Sequence, residues 1–370
     1  MLSAAGCRAR VGRLLDRLDE RIEAVLVCRR EHVLYFSGYM ASPNTLKMRA
    51  AYFLLIERSG ETTLINDGWG RLRESHHADA VVEGSWKVDS SAFSGYQAAA
   101  EAAAGAISAR GLGAIGTETS AIPAVVAGAA GEVIDVEPLI SSLRAVKDAD
   151  ELELIRAAIR VGEAMHASAR DNLRPGMSEL ELYSRIVCDG TLTAGEPLVM
   201  MCDFKSGPEL GSGGAPSERV MERGDNVLLD LFPYVAGYRC DITNTLNVGG
   251  APSADQERAM VAARVALAAS EAICRPGVRA KDFFVAQDEA LRAADPNWSL
   301  RGHAGHCLGL EHPEPPDFIP DNEEPVVEGM VITFEPGVYD PSFHGVRIEH
   351  NYLVTADGLE RLSNHHIGLV

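Results

Sequence analysis

The sequence predicts an α+β protein of two domains: a small α/β domain over residues 1–142, then a larger domain over 143–370. Three observations lead there. A chain of 370 residues is too long for one ordinary core. Its first part alternates helix-like with strand-like patterns, as small α/β domains do. Its second part contains an internal echo, Leu173-Arg-Pro-Gly-Met-Ser-Glu and Cys274-Arg-Pro-Gly-Val-Arg-Ala, 101 positions apart (274 − 173).

Taken in order, Val11–Ile22 is amphipathic and predicts a helix, Ala24–Cys28 and Ala51–Leu55 are short β-prone runs, and Tyr96–Ala109 is an alanine-rich helix. The pattern breaks over Ser141–Lys147, which places the domain boundary. A long helix is expected from Asp148, whose Asp-Ala-Asp-Glu start supplies a cap and first-turn acids. Arg-Pro-Gly is a natural helix stop, and two copies after two long helices predict a duplicated αβ unit. Between them, Val227–Phe232 reads as a strand, Pro233–Gly237 as a turn and Tyr238–Leu246 as the returning strand. Asp230 and Asp241 should then face each other across the hairpin. Arg239, Asp241 and Thr243 should share one strand face, because the side-chain period is two. Pseudo-twofold packing of the two units would bring this hairpin against the strands of Glu335 and Glu349, in the middle of a curved sheet.

Bulk properties exclude several functions. A net charge of −19 disfavours nucleic acid and anionic membrane surfaces as partners. No stretch approaches the ~18 uncharged apolar residues of a spanning helix. The seven cysteines are odd in number and lack CxxC spacing, which predicts free thiols in a reducing cytoplasm. Phosphate-loop, HExxH and GxSxG motifs are absent.

What stands out is a ligand set. Asp230, Asp241, His306, Glu335 and Glu349 each lie in or at the end of a short apolar run. One such acid alone would be an ordinary solvated strand end. Four carboxylates beside one imidazole, all in β-prone apolar context, are costly unless something pairs with them, and two divalent cations would do so. Oxygen-rich donors of this kind suit manganese, cobalt or ferrous iron ahead of zinc. Thr243 can orient a liganding carboxylate, and Arg347 shares a strand face with Glu349.

The segments DLFPYVAGYRCDITNT, GHCLGLE, ITFEPGVY and GVRIEHNYLV resemble the metal motifs of the pita-bread metallopeptidases, most closely the aminopeptidase P, prolidase and creatinase branch. VLVCRREHVLYFSGY and SLRAVKDADELELIRAAIRVGEA are similar to that branch's amino-terminal domain and to the start of its catalytic domain, so the resemblance covers nearly the whole chain. It implies a creatinase-like first domain and a dinuclear-metal catalytic domain in a homodimer. Asp230 would hold one metal, His306 and Glu335 the other, and Asp241 and Glu349 would bridge both. A water deprotonated between the ions would attack the amide of a dipeptide or small-molecule substrate.

The chain departs from the peptidase pattern at two places. Gly213 and Pro313 stand where histidines are expected to hold the scissile carbonyl and its oxyanion. His312 is one position short of the second site, and His303 is likewise shifted. Either could act as a relocated acid or base, or merely shape the rim. The residues therefore leave three readings open: an Xaa-Pro peptidase, a small-molecule amidohydrolase or lyase, and a metal-binding interaction module. Tyr35–Arg49, with Tyr39 and Arg49, is expected to be a loop whose composition suits substrate recognition. Gly213 and Pro313 would line the same pocket.

Overall fold

The computed structural model describes residues 1–41, 51–68, 75–86 and 94–370, in two compact units, Met1–Arg144 and Ala145–Val370. The first unit contains α1 (Ala4–Asp16), β1 (Ala24–Val27), α2 (Arg30–Ser37), β2 (Tyr52–Glu57), β3 (Thr62–Asn66), β4 (Ala80–Glu83), α3 (Gly95–Arg110), β5 (Ala114–Thr117), α4 (Ala124–Ala127), β6 (Glu132–Asp135) and α5 (Glu137–Ala145). Its strands form one mixed sheet in the order β4-β3-β2-β1-β5-β6. Alanines 99, 100 and 103 of α3 pack with Leu26, Phe53, Leu55 and Ile65 of the sheet; their small side chains allow a close helix-on-sheet approach.

Two expectations for this unit need correction. The first helix begins earlier and ends sooner than Val11–Ile22, because Ser3 caps its start through Gly6 N–H at 2.9 Å and the chain leaves the helix at Arg17. Tyr35, Phe36 and Ser37 are not loop residues but the buried last turn of α2, which ends on Gly38 in the left-handed region. Tyr39 is buried too, its ring edge-on to Tyr52 at 4.8 Å. Arg49 lies outside the described residues.

The second unit contains α6 (Ala149–Asn172), α7 (Glu179–Ala194), β7 (Val199–Ser206), a 3-10 turn over Gly207–Ser212, β8 (Asn226–Val235), β9 (Tyr238–Arg239), β10 (Ile242–Asn247), α8 (Ala254–Ile273), α9 (Ala280–Ala294), β11 (Val331–Phe334), β12 (Gly337–Val338), β13 (Val346–Arg347), β14 (His350–Thr355) and β15 (Gly358–Arg361). β8 is central to a sheet ordered β10-β8-β7, with β9 also paired to β8; β14 is central to β11-β14-β15; β12 pairs with β13. All these pairings are antiparallel. Among the described residues no helix is long and apolar enough to cross a membrane.

The duplication is visible down to single hydrogen bonds. Helix α6 starts at Asp148, whose backbone N–H donates to Glu151 at 2.9 Å, and stops at Leu173; helix α8 stops at the corresponding Cys274. In the Arg-Pro-Gly turns that follow, Gly176 and Gly277 both have φ near +90°, and their N–H groups donate to Met221 and Val326 at 2.9 Å each. The returning strands repeat as well. A two-residue strand, a two-residue break and a six-residue strand occur at β9, Cys240-Asp241, β10 and again, 108 positions on (349 − 241), at β13, Ile348-Glu349, β14.

The hairpin itself differs from expectation. Pro233 lies inside β8 opposite Met200, and the turn is Ala236-Gly237, both at positive φ. Thr243, not Asp241, stands opposite Asp230. Asp241 sits in a two-residue break after β9, but the register to β8 is the same on both sides of it, with Arg239 opposite Tyr234 and Thr243 opposite Asp230, as the alternation expected from Arg239 through Thr243 requires.

Candidate metal centre

Asp230 is carried by the middle strand β8 and buried on both sides. Its Oδ1 lies 2.7 Å from Thr243 Oγ1 on β10, and Arg347 Nη2 donates to its Oδ2. The same Thr243 hydroxyl is 2.7 Å from Glu349 Oε2. A hydroxyl has one hydrogen, so it cannot donate to two carboxylates. With both contacts made, one of the two acids must itself carry a proton when no cation is present.

Asp241 and Glu349 are placed by the two strand breaks, which lock each other. Glu349 N–H donates to Thr243 O at 3.0 Å. The Asn351 side chain accepts from Asp241 N–H at 3.1 Å and donates to Asp241 O at 2.5 Å. Helix α6 can approach this break because residue 162 is glycine: a Cβ there would stand 2.8 Å from Cys240 Sγ. Asp241 Oδ1 and Glu349 Oε1 are buried without a hydrogen-bond partner. An unpaired buried carboxylate oxygen is strongly unfavourable, and a cation answers it.

His306 is fixed by its neighbours. Gly305, at φ +144°, brings the chain against Thr333 O, where a Cβ would stand at 2.1 Å. His306 N–H reaches Thr333 Oγ1 at 3.3 Å, and the ring Nδ1 donates to Cys307 O at 2.8 Å. That leaves Nε2 directed at Asp241 Oδ2 (3.3 Å) and Glu335 Oε1 (3.5 Å), the usual second-nitrogen arrangement of a ligating imidazole. Three donor groups result among the described residues: Asp230, Asp241 and Glu349; His303, His306 and Glu335; and Asp241, His306 and His312. Within each group, one donor atom per residue lies within 4.8 Å of the others. The residues thus fit divalent cations.

The other residues singled out in the sequence fall as follows. His312 Nε2 is 2.6 Å from Asp241 Oδ2. His303 Nδ1 is 3.3 Å from Glu335 Oε1 but outside hydrogen-bonding geometry, and its side chain is 41% exposed. Gly213 lies against Asp203, and Pro313 is exposed. The neighbouring thiols are buried, and burial pushes Cys307 up to about 12. Sequence reasoning missed Asp203 and Asn351. Asp203 stands directly opposite Asp230 on β7 and is bound by Arg347 at 3.3 Å. The signal for Asn351 was the 108-residue offset, which sets it on Thr243.

Charge follows from this crowding. Burial, reinforced for Glu349 by Asp241, Glu335 and Asp230, holds the Asp230 and Glu349 carboxyls well above the usual range; Arg347 opposes this at Asp230 without reversing it. Burial alone would lower His306, but Asp241 and Glu335 outweigh it and raise it to about 9. Burial would likewise raise Asp241, yet His312 and His306 hold it well below the carboxylate range. Cation binding must therefore displace a proton from the Asp230–Glu349 pair and one from His306. Apparent affinity should rise with pH, about tenfold per unit for each proton displaced. Calorimetry in buffers of different ionisation enthalpy should show at least one proton released per chain, and pH-independent binding would refute this.

Comparison with known proteins shows the family and the fold. The profile of metallopeptidase family M24 matches residues 153–356, and that of the creatinase/prolidase N-terminal domain matches residues 10–146. The Xaa-Pro dipeptidase of Pyrococcus furiosus is 30% identical over 229 residues, 62% of this chain and 66% of that protein, just short of two thirds of its length. The Xaa-Pro dipeptidase of Pyrococcus horikoshii is 26% identical over 361 residues, 96% of each chain. The crystal structure of the prolidase from Pyrococcus horikoshii OT3 superposes with a TM-score of 0.82 at 26% identity, covering 98% of this chain and 100% of that one. With a matched catalytic region, a matched N-terminal region and a shared α+β pita-bread fold, this chain belongs to metallopeptidase family M24, a family of metal-dependent hydrolases.

Proposed function

We propose that this chain hydrolyses the amide bond of Xaa-Pro dipeptides or related short peptides at a dinuclear centre. One observation carries the reading: Asp230, Asp241 and Glu349 converge in the buried interior with two carboxylate oxygens unpartnered. Asp241 and Glu349 would bridge the cations, Asp230 would hold one of them, and His306 with Glu335 would hold the other. Manganese, cobalt or ferrous iron suits this oxygen-rich set. When bound, such cations polarise a carbonyl and acidify water. The protein's own part is to fix the carboxylates, through Thr243, Asn351 and Arg347, and to move protons at the open side. His303 is the imidazole exposed enough to exchange a proton with solvent while standing beside Glu335. The relatives named Xaa-Pro dipeptidase support the substrate class, and a homodimer is part of the proposal.

A second reading, a small-molecule amidohydrolase or lyase, is favoured by Gly213 and Pro313. Neither offers a side-chain donor where peptidases are expected to place histidines, and losing an oxyanion donor typically costs about 10²–10³ in rate. Manganese-loaded protein should be offered Gly-Pro-type dipeptides, longer Xaa-Pro peptides, creatine, ectoine and dimethylsulfoniopropionate. Turnover of the peptides supports the first reading. Turnover of a small molecule alone replaces it with the second, and none from fully loaded protein removes both.

A further inference from the structure

His312 does not behave as a rim residue. Its ring stacks on Phe232 of β8 at 4.1 Å with 27° between the planes, and it meets His306 edge-on at 5.0 Å and 83°. The stack fixes the ring plane and aims Nε2 inward. The target is Asp241 Oδ2, the same oxygen that His306 Nε2 approaches at 3.3 Å. Two imidazole nitrogens thus converge on one buried carboxylate oxygen.

Adjacent donors bound at 2.0–2.2 Å to one ion lie about 3 Å apart. The separations His306–Asp241, His306–Glu335 and His312–Asp241, at 3.3, 3.5 and 2.6 Å, are edges of that size. We propose that His312 is a further cation ligand, so that the position held by His306 carries two imidazoles. The inference rests on the metal-centre reading above and deepens it. A second nitrogen shifts this position towards cobalt, ferrous iron or zinc and away from manganese. It also commits His312 Nε2, so that nitrogen is not the proton carrier for a leaving group.

The test loads the full chain with Co²⁺ and compares wild type, His312→Ala and His312→Gln by ligand-field absorption and by dissociation constant. The glutamine variant is read if alanine disturbs folding. Altered d–d bands together with Co²⁺ binding weakened by about 10–100-fold are the expected result, in line with losses from disturbed metal sites. Unchanged bands with affinity within about twofold would overturn the proposal. Weaker affinity with unchanged bands overturns it too, since His312 would then act only through Asp241. If the wild-type chain binds no Co²⁺ at all, the metal-centre reading itself fails, a result distinguishable from the other two.

Discussion

Replacing Asp241 by alanine should lower cation content from about two per chain to one or fewer, and reduce kcat/KM on any substrate the wild type turns over by on the order of 10³ or more. The expectation follows from position. Asp241 is shared by two of the donor groups, and its Oδ1 has no partner within the protein. Its Oδ2 is also the atom on which His306 Nε2 and His312 Nε2 converge, so removing it frees both imidazoles at once. Asp241→Asn is the sharper test: it keeps the shape but gives up the charge that lets one group serve two cations, and it should show nearly the same loss. Elemental analysis after reconstitution, with circular dichroism to confirm folding, decides it. Two ions still bound to either variant would show that Asp241 does not bridge.

Residues whose signal is local were legible in advance. The cap at Asp148, the two Arg-Pro-Gly stops and the alanine-rich helix expected over Tyr96–Ala109 are dictated by neighbours in sequence, and they appear within one residue of expectation. The candidate ligands could be singled out because four acids in apolar runs beside one histidine need a reason. What failed depends on partners distant in sequence. Pro233 was read as a turn residue, but it is tolerated in β8 beside Met200 because the sharp bend falls later, at Ala236-Gly237. Asp241 was read as facing Asp230 because the turn was placed over Pro233–Gly237, whereas the tight turn at Ala236-Gly237 sets a register that pairs Asp230 with Thr243. Asp203 could not be found at all: only the pairing of β7 with β8 sets it opposite Asp230.

That pairing gives the second large effect. Asp203 and Asp230 are cross-strand acids, an unfavourable arrangement when both are ionised, and Arg347 favours the ionised form of Asp230 against its burial. Arg347 spans them, with Nη2 on Asp230 Oδ2 and 3.3 Å from Asp203 Oδ2, and its own backbone is anchored by Thr245 Oγ1 at 2.9 Å. Arg347→Met removes the cation and leaves Asp230, 5% exposed, against another acid. Breaking a buried pair from one side costs about 3 kcal/mol at the lower end, the end chosen here because Asp203 is 35% exposed. For a unit of this size that is roughly 6–12 °C in Tm. Two features separate this account from a simple packing loss. Added Mn²⁺ should recover more Tm in Arg347→Met than in wild type, because a cation at Asp230 supplies the missing charge. Adding Asp203→Asn to Arg347→Met should be less destabilising than the sum of the two single changes, because the repulsion it relieves exists only when Arg347 is gone. Strict additivity, or no extra rescue by metal, would mean that Arg347 contributes by shape and not by charge.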